Sequence, residues 1–485
     1  MEQDFNLLPR DKLLRDSFTQ AETLLFAVIL LTANFTFWLA DPRSFWLLGG
    51  FLIAAGMTPV ILKTHEQTHP FFITFLWPKF WLCTAPVWLF LLQFIAGLPQ
   101  DPINSVILKN EAYPSLETIH PWLPVSTKKS TTWLTVLGYG SIYLVAINLF
   151  IVPKSRAYFE RLLPWLCISS ALVAIYGYVQ AGFEPSAPLF TKGTGYADFF
   201  GFFPYDGHWA AFATIWTCIN MSMALLVTRY DDSPAFIEST GPWYLSAGIL
   251  FGSSAFLVEA HWPAVILMLT LSVMLLLFSL NFLSNRKDPH HTALTIFSGL
   301  ASTAIFAAGL FRIFQNPVSS TNAEAIRAAA LEIFKDSPIF GWGMDSYAEL
   351  LPYYGSDLIT GQNYTRAGND FTQFLAELGI VGLSLPIIVF MTLLIRYFRG
   401  RHDIQLTNHL LIGCAAVLAL AFFDTPLMSP AVSFSLLIAF FTALRWADLS
   451  RNKTDEVDSP KPVLVTPESK RRVPFFSKPA NDRLR

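Results

Sequence analysis

The stretch "RAGNDFTQFLAELGIVGL" (366–383) places polar and charged side chains at the start of an apolar run. Such side chains are suited to proton transfer and to binding charge. Asp370, Gln373 and Glu377 are spaced i, i+3 and i+7, so on a helix they share one face. Asn369 is a good N-cap for this helix, and Glu377 would lie roughly 10 Å deeper than the first turn. An acid at that depth in a membrane needs a cationic partner or a wet cavity. The stretch therefore predicts either a cap with a structural ion pair or an outward-opening cavity lined by this face.

Four cations are predicted to lie on the same side of the membrane: Lys192, Arg312, Arg327 and Arg366. A guanidinium matches phosphate oxygens with parallel hydrogen bonds, so such a group suits a pyrophosphate. Any one of these residues taken alone is better explained as a surface cation, and only the four together suggest a binding site.

Two histidines also fall at predicted outer helix ends, His208 in "PYDGHWAAF" and His261 in "VEAHWPA". A histidine titrates near neutral pH and is a natural general base for a sugar hydroxyl. The alternative is that each is only a polar tip at the lipid headgroups.

The composition shows what kind of scaffold positions these residues. The chain has 485 residues, of which 53% are hydrophobic and only 14% charged, whereas soluble proteins carry about 25% charged residues. Its mean hydropathy is +0.44. We therefore expect a polytopic membrane protein in contact with membrane lipids. The net charge of −2 predicts no nucleic-acid partner, and the four cysteines lack metal-ligand spacing.

The apolar runs predict an all-α bundle of about twelve transmembrane helices. Their expected limits are 21–40, 44–62, 78–97, 131–153, 162–182, 207–228, 242–258, 262–283, 292–313, 374–397, 407–425 and 429–447. Most Lys and Arg fall in loops that are cytoplasmic if the N-terminus is cytoplasmic, and the even number of spans returns the C-terminus to that side.

Three segments follow from this pattern: a cytoplasmic segment 1–20, a transmembrane domain 21–447, and a disordered cytoplasmic tail 448–485 that is rich in Pro and charge. A long outer loop, 314–373, precedes the tenth span. Within it "TNAE" from Thr321 is a capping box that predicts a surface helix, and "DSPIFGWG" ends that helix. The loop is either a lid or substrate groove, or a segment packed on the bundle.

Two motifs in this region resemble a known family. "RAAALEIFKDSPIFGWGMDSYAELLPYY" (327–354), followed by "RAGNDFTQFLAELGIVGL", is similar to the signature region of the O-antigen ligase/polymerase superfamily. The "DxPxxGxG" turn and the "ND…QxLAELGxxGL" helix occur together, in order, and on the same predicted side. "WLPVS" and "YDGHWAAF" fit the resemblance as well.

The resemblance implies a GT-C-like, metal-independent glycosyltransferase without a cofactor. It would move a glycan from an undecaprenyl-pyrophosphate carrier to a lipid A-core sugar or a growing polysaccharide, at the periplasmic face of the bacterial inner membrane. Polysaccharide-assembly proteins are possible further partners. The catalytic candidates are His261, His208, Asp370 and Glu377, and the substrate-binding candidates are Arg366, Arg327, Lys192, Arg312, Asn369 and Gln373.

Two positions depart from the family pattern. Gly368 stands where the family usually has a histidine that activates the acceptor or stabilises the donor, and His261 stands where an arginine is expected. Either the chain has lost activity, or another histidine compensates, for which His261 is our hypothesis. Two other readings remain open. One is a catalytically impaired scaffold of a polysaccharide-assembly system, and the other is a transporter of lipid-linked glycans.

Overall fold

The structure is a computed structural model that describes residues 19–38, 105–108, 111–114, 124, 126–127, 129–183, 200–230, 235–284, 288–315, 321–354, 366–398 and 405–458. These residues form twelve α-helices. They are α1 Gln20–Trp38, α2 Lys129–Ile151, α3 Arg156–Phe183, α4 Asp206–Tyr230, α5 Gly241–Ser253, α6 His261–Ser284, α7 His291–Phe314, α8 Thr321–Asp336, α9 Tyr347–Tyr354, α10 Asp370–Phe398, α11 Gln405–Leu420 and α12 Pro430–Asp458. Two short antiparallel strands, β1 Ser105–Leu108 and β2 Glu111–Pro114, precede α2 in the sequence.

The predicted all-α polytopic bundle is confirmed. Eight of the described helices are long and apolar enough to cross a membrane: α1, α2, α3, α4, α6, α7, α10 and α12. α11 is a shorter apolar helix, and α5 is continued by the 3-10 turn Ser254–Phe256. Two predicted spans, 44–62 and 78–97, lie outside the described residues.

Helix α4 occupies the centre of the described bundle. Its membrane segment is 89% buried, whereas that of α7 is 11% buried. Trp209, Phe212 and Trp216 of α4 are fully buried, and α4 packs against α5, α6, α11 and α12. The first turn of α4, with Asp206 and His208, therefore begins in the interior of the protein rather than on its rim.

Helix α10 is broken at Gly379, whose φ is +64°. The break frees backbone groups on both sides, and the turn after α8 uses them: Trp342 N donates to Ala376 O at 3.2 Å, and Ile380 N donates to Pro338 O at 2.9 Å. A Cβ at Gly379 would lie 2.4 Å from Ile339 O. The two sequence motifs thus occur together because the turn and the broken helix complete each other's hydrogen bonds.

Among the differences from the predicted helix limits, two concern the start of α10 and the end of α12. α10 begins at Asp370 and not at 374, because capping by Asn369 brings the polar residues into the helix. α12 continues to Asp458, so the predicted start of the tail at 448 falls inside a helix. The segment 459–485 lies outside the described residues.

Candidate functional site

The start of α10 is built as the sequence predicts. Asn369 Oδ1 accepts hydrogen bonds from Thr372 N at 2.7 Å and from Thr372 Oγ1 at 2.6 Å, which confirms the N-cap. Gln373 lies one turn further on. Its Oε1 accepts from Ala367 N at 3.3 Å, and its Nε2 donates to Glu377 Oε1 at 3.1 Å. This chain of bonds fixes the residues before the helix relative to the helix face.

Glu377 is buried and binds backbone amides. Oε2 accepts from Asp345 N at 2.9 Å, and Oε1 accepts from Tyr347 N at 3.3 Å. The carboxylate thereby caps the first turn of α9 and holds the 343–347 segment against α10. Its depth in the helix is explained by these bonds, which make Glu377 a positioning residue.

The side chain of Arg366, which precedes α10, contacts the ring of His208 on α4. Nη1 of Arg366 lies 2.5 Å from Nε2 of His208 and 3.4 Å from Nδ1. His208 is buried, and its Nε2 is also 3.0 Å from Thr425 O. A guanidinium only donates, so a bond to Nε2 requires the tautomer with its proton on Nδ1. The other neutral tautomer would donate from Nε2 to the Thr425 carbonyl.

Two carboxyl groups lie near this pair. Asp370 is buried, and its Oδ2 accepts from Leu427 N at 2.7 Å. The half-buried Asp424 accepts from Thr425 N at 2.7 Å and from the Tyr205 hydroxyl at 2.9 Å. Arg366 interacts electrostatically with both acids. The backbone N of Asp370 donates to Asp424 O at 3.0 Å, which joins the start of α10 to the turn after α11.

The two acids differ in how fully their carboxylate oxygens are hydrogen-bonded. Oδ1 of Asp370 is buried and has no hydrogen-bond partner within the described part of the chain. Desolvation raises the pKa of Asp424, and this is offset in part by the bonds from Thr425 and Tyr205 and by Arg366. Asp424 and Tyr205 were not predicted as site residues. The available signal was the single acid that ends an apolar run in "FFDTP".

Arg312 and His261 form a separate group. Arg312 donates to three main-chain carbonyls, the shortest bond being 2.7 Å to Val258 O. Asp206 holds the same segment from α4, since its Oδ2 accepts from Glu259 N at 2.6 Å and from Ala260 N at 3.0 Å. Arg312 therefore clamps the 255–259 segment.

His261 begins α6 beside this clamp. Its Nε2 is buried and without a partner within the described ranges. The ring packs edge-on against Trp262, and Arg312 is near enough to act on it electrostatically. Among the described residues, His261 makes no hydrogen bond to Arg366, Asp370 or Glu377. The structure thus pairs Arg366 with His208 and not with His261.

Two predicted cations remain. Arg327 is exposed on α8, and its Cγ would be 3.9 Å from a Cβ at Gly368, whose φ is +77°. Arg327 therefore borders the position where the resemblance predicts a histidine. Lys192 lies outside the described residues.

Comparison with known proteins finds a family for part of the chain. No curated protein matches the chain. A family model described as O-antigen ligase (Wzy_C) matches residues 235–387. The matched segment includes the 338–343 turn, the broken helix and Arg366, whereas His208 and Asp424 lie outside it. The family supports a general role in glycan transfer as a ligase or polymerase. The predicted resemblance to the O-antigen ligase/polymerase superfamily is thus confirmed for residues 235–387.

Proposed function

We propose that this protein transfers a glycan from an undecaprenyl-pyrophosphate carrier to a sugar acceptor at the periplasmic face of the bacterial inner membrane. The acceptor is a lipid A-core sugar or a growing polysaccharide. The observation that supports the proposal is the setting of Arg366. Arg366 is half-buried and is held by His208 through Nη1, and within the described ranges its other N–H groups make no hydrogen bond to a side chain, although Asp370 and Asp424 act on it electrostatically. Donors placed in this way suit a pyrophosphate.

The proposed reaction forms one carbon–oxygen bond, breaks another, and moves one proton. The acceptor hydroxyl oxygen attacks the anomeric carbon of the donor sugar, and the bond from that carbon to the pyrophosphate oxygen breaks. The bonding electron pair leaves with the carrier pyrophosphate, whose growing negative charge Arg366 stabilises. The hydroxyl proton passes to Asp370, whose Oδ1 is buried and uncommitted among the described residues.

The other candidates take supporting roles in this proposal. His208 positions Arg366, while Asn369, Gln373 and Glu377 fix the start of α10. Arg327 and Lys192 remain proposed contacts for the carrier phosphates or the glycan. Arg312 would act by holding the 255–259 segment.

His261 remains our second candidate base, because its Nε2 is buried and unpaired within the described ranges. Replacing His261 by Ala tests this role, since compensation by His261 requires that the variant lose glycan transfer. Retained transfer would assign the proton to Asp370 alone.

The proposal is tested by Arg366→Ala and Arg366→Lys in a strain that lacks the chromosomal gene, with surface polysaccharide as the readout. We expect the alanine variant to lose transfer and the lysine variant to retain a fraction, because an ammonium lacks the two-pronged geometry of a guanidinium. The matched control is Lys335→Ala, which removes an exposed cation paired with Glu332. Normal polysaccharide with Arg366→Ala, at equal protein level in the membrane, contradicts the proposal.

A second function, a non-catalytic scaffold, is favoured by Gly368, since it removes the expected histidine. Under that function, gene deletion abolishes the polysaccharide whereas Arg366→Ala and Asp370→Asn both leave it intact. A transporter of lipid-linked glycans is a weaker alternative. The charged groups collect at helix ends, whereas transporters place them near the bilayer midplane.

A further inference from the structure

Asp345 lies at the surface of the protein in a strained backbone conformation. Its φ is +61°, and among the described residues it is the non-glycine residue whose φ falls in the left-handed region. Asp345 is exposed, whereas its neighbours Met344 and Ser346 are buried. Strain of this kind persists only where surrounding contacts enforce it, and it is concentrated at binding and catalytic sites. The question is therefore what holds Asp345 in place and what its carboxylate faces.

The peptide unit between Met344 and Asp345 is held from two sides. Thr132 Oγ1 of α2 donates to Met344 O at 3.0 Å, and Asp345 N donates to Glu377 Oε2 of α10 at 2.9 Å. These two bonds fix the left-handed conformation. They hold the carboxylate beside α2, where Oδ2 of Asp345 accepts from Thr135 Oγ1 at 3.5 Å.

A chain of hydrogen bonds connects Asp345 to the residue that follows Arg366. Glu377 accepts from Asp345 N and from Gln373 Nε2, and Gln373 Oε1 accepts from Ala367 N. The backbone at Asp345 and the backbone beside Arg366 are therefore fixed relative to each other through one face of α10.

Tyr139 of α2 shows that the two charged side chains border one site. Arg366 and Asp345 both act on Tyr139 electrostatically, and the Tyr139 hydroxyl donates to Met428 O at 2.6 Å in the turn after α11. A substrate bound over Tyr139 would therefore meet a cation on one side and a carboxylate on the other.

The proposed reaction assigns different ligands to these two sides. Arg366 stabilises the leaving pyrophosphate of the donor. In a displacement with inversion at the anomeric carbon, the attacking hydroxyl approaches from the face opposite the leaving group. The acceptor then belongs on the side of the carboxylate. A carboxylate accepts hydrogen bonds from sugar hydroxyls and repels phosphate, so this side suits an uncharged sugar.

We propose that Asp345 binds hydroxyl groups of the acceptor sugar and selects an acceptor that carries no phosphate on that sugar. This inference rests on the proposed function, and it narrows the class of acceptor. The strained backbone holds the carboxylate ready before the acceptor arrives, so that no ordering of this segment is needed on binding.

Two substitutions remove the charge and suit the backbone. Glycine adopts a φ of +61° without steric cost, and asparagine is enriched in the left-handed region. We therefore expect Asp345→Gly and Asp345→Asn to reach the membrane at the level of the unaltered protein. The matched control is Glu332→Gln on α8, which neutralises an exposed acid paired with Lys335 and should leave the kinetics unchanged.

The assay uses one lipid-linked donor and two acceptors, a hexose disaccharide and the same disaccharide with a phosphate on its terminal sugar. We expect Asp345→Gly to raise KM for the uncharged acceptor about tenfold, because hydrogen bonds to a charged group are lost. KM for the donor should not change. Asp345→Asn keeps one accepting oxygen and should raise the acceptor KM less. Both variants should use the phosphorylated acceptor better than the unaltered protein does, since the repulsion is removed.

Two results would overturn the inference: an unchanged KM for the uncharged acceptor in Asp345→Gly, or an increase in the donor KM of the same size. Failure of the proposed function reads differently, because Arg366→Ala would then leave transfer to both acceptors intact.

Discussion

Nη1 of Arg366 lies 2.5 Å from Nε2 of His208, although the two residues are 158 positions apart in the sequence. The contact joins the first turn of the central helix α4 to the residues that precede α10. His208 thus fixes the position of the guanidinium. His208 itself lies on α4, whose membrane segment is the most buried of the described bundle.

Replacing His208 by Ala should weaken donor binding without stopping the chemistry. Loss of a hydrogen bond to a charged group costs about 1.5–3 kcal/mol, so KM should rise roughly tenfold or more, with kcat largely kept. His208→Gln retains an acceptor oxygen and should recover part of the affinity. Steady-state kinetics with a lipid-linked donor measure both values.

His290→Ala serves as the control, since His290 is an exposed histidine that makes no side-chain cap bond before α7. If His208→Ala lowers kcat and leaves KM unchanged, His208 takes part in the chemistry itself and the positioning role is wrong.

We expect Asp424 to make the stability of the protein depend on pH. Burial raises its pKa above the usual Asp value, and Tyr205, Thr425 and Arg366 offset part of that rise, while Asp206 adds to it. A raised folded-state pKa means that the stabilisation is complete below the unfolded value, about 3.9, and is lost as pH rises through the folded value. Asp424→Asn should flatten this part of the stability curve. Thermal unfolding in detergent from pH 4 upward measures the slope, and an unchanged slope would refute the assignment.

The local features of the site could be predicted because they depend on neighbours in sequence. The cap by Asn369 and the shared face of Asp370, Gln373 and Glu377 follow from helical spacing alone. What Glu377 binds could not be predicted in the same way. Its partners are backbone amides of a turn some thirty residues earlier, and periodicity carries no signal for such a contact.

Contacts between residues that are distant in the sequence leave no such local signal. Arg312 and Arg366 are both arginines near predicted outer helix ends, yet Arg312 binds main-chain carbonyls and Arg366 contacts a histidine. The difference depends on which helices pack together, and the apolar pattern of a membrane helix does not specify its neighbours. Asp424 was not predicted as a site residue because the predicted eleventh span continued through it to 425. In the structure α11 ends at Leu420, which leaves Asp424 in the turn that follows.

Gly379 is the position at which the two family motifs depend on each other. Gly379→Ala would force an L-residue to φ +64° and place its Cβ 2.4 Å from Ile339 O. We expect a loss of about 2–3 kcal/mol of stability, seen as a lower unfolding temperature and less protein in the membrane. Gly182→Ala in α3 is the control, since nothing lies within 4 Å of its Cβ. Equal effects of the two variants would mean that the break at Gly379 is not required.

Substitutions at Gly368 test whether glycan transfer by this protein benefits from a histidine at this position. Its φ of +77° costs any L-residue about 1 kcal/mol, and a Cβ there would meet only Arg327 Cγ, at 3.9 Å, among the described residues. Gly368→His should therefore fold, with the same small destabilisation as Gly368→Ala. Because the imidazole would project beside Arg327 and next to Asn369, we expect it to raise the rate of glycan transfer above that of the alanine variant.

The comparison of these two variants separates backbone strain from chemistry, since both place a Cβ at the same φ. Transfer rates with a lipid-linked donor, measured at equal membrane levels, give the result. Equal rates for Gly368→His and Gly368→Ala would show that the chain has no use for a histidine at this position. The proton must then be accepted by a group already present, either Asp370 through its uncommitted Oδ1 or His261 through its unpaired Nε2.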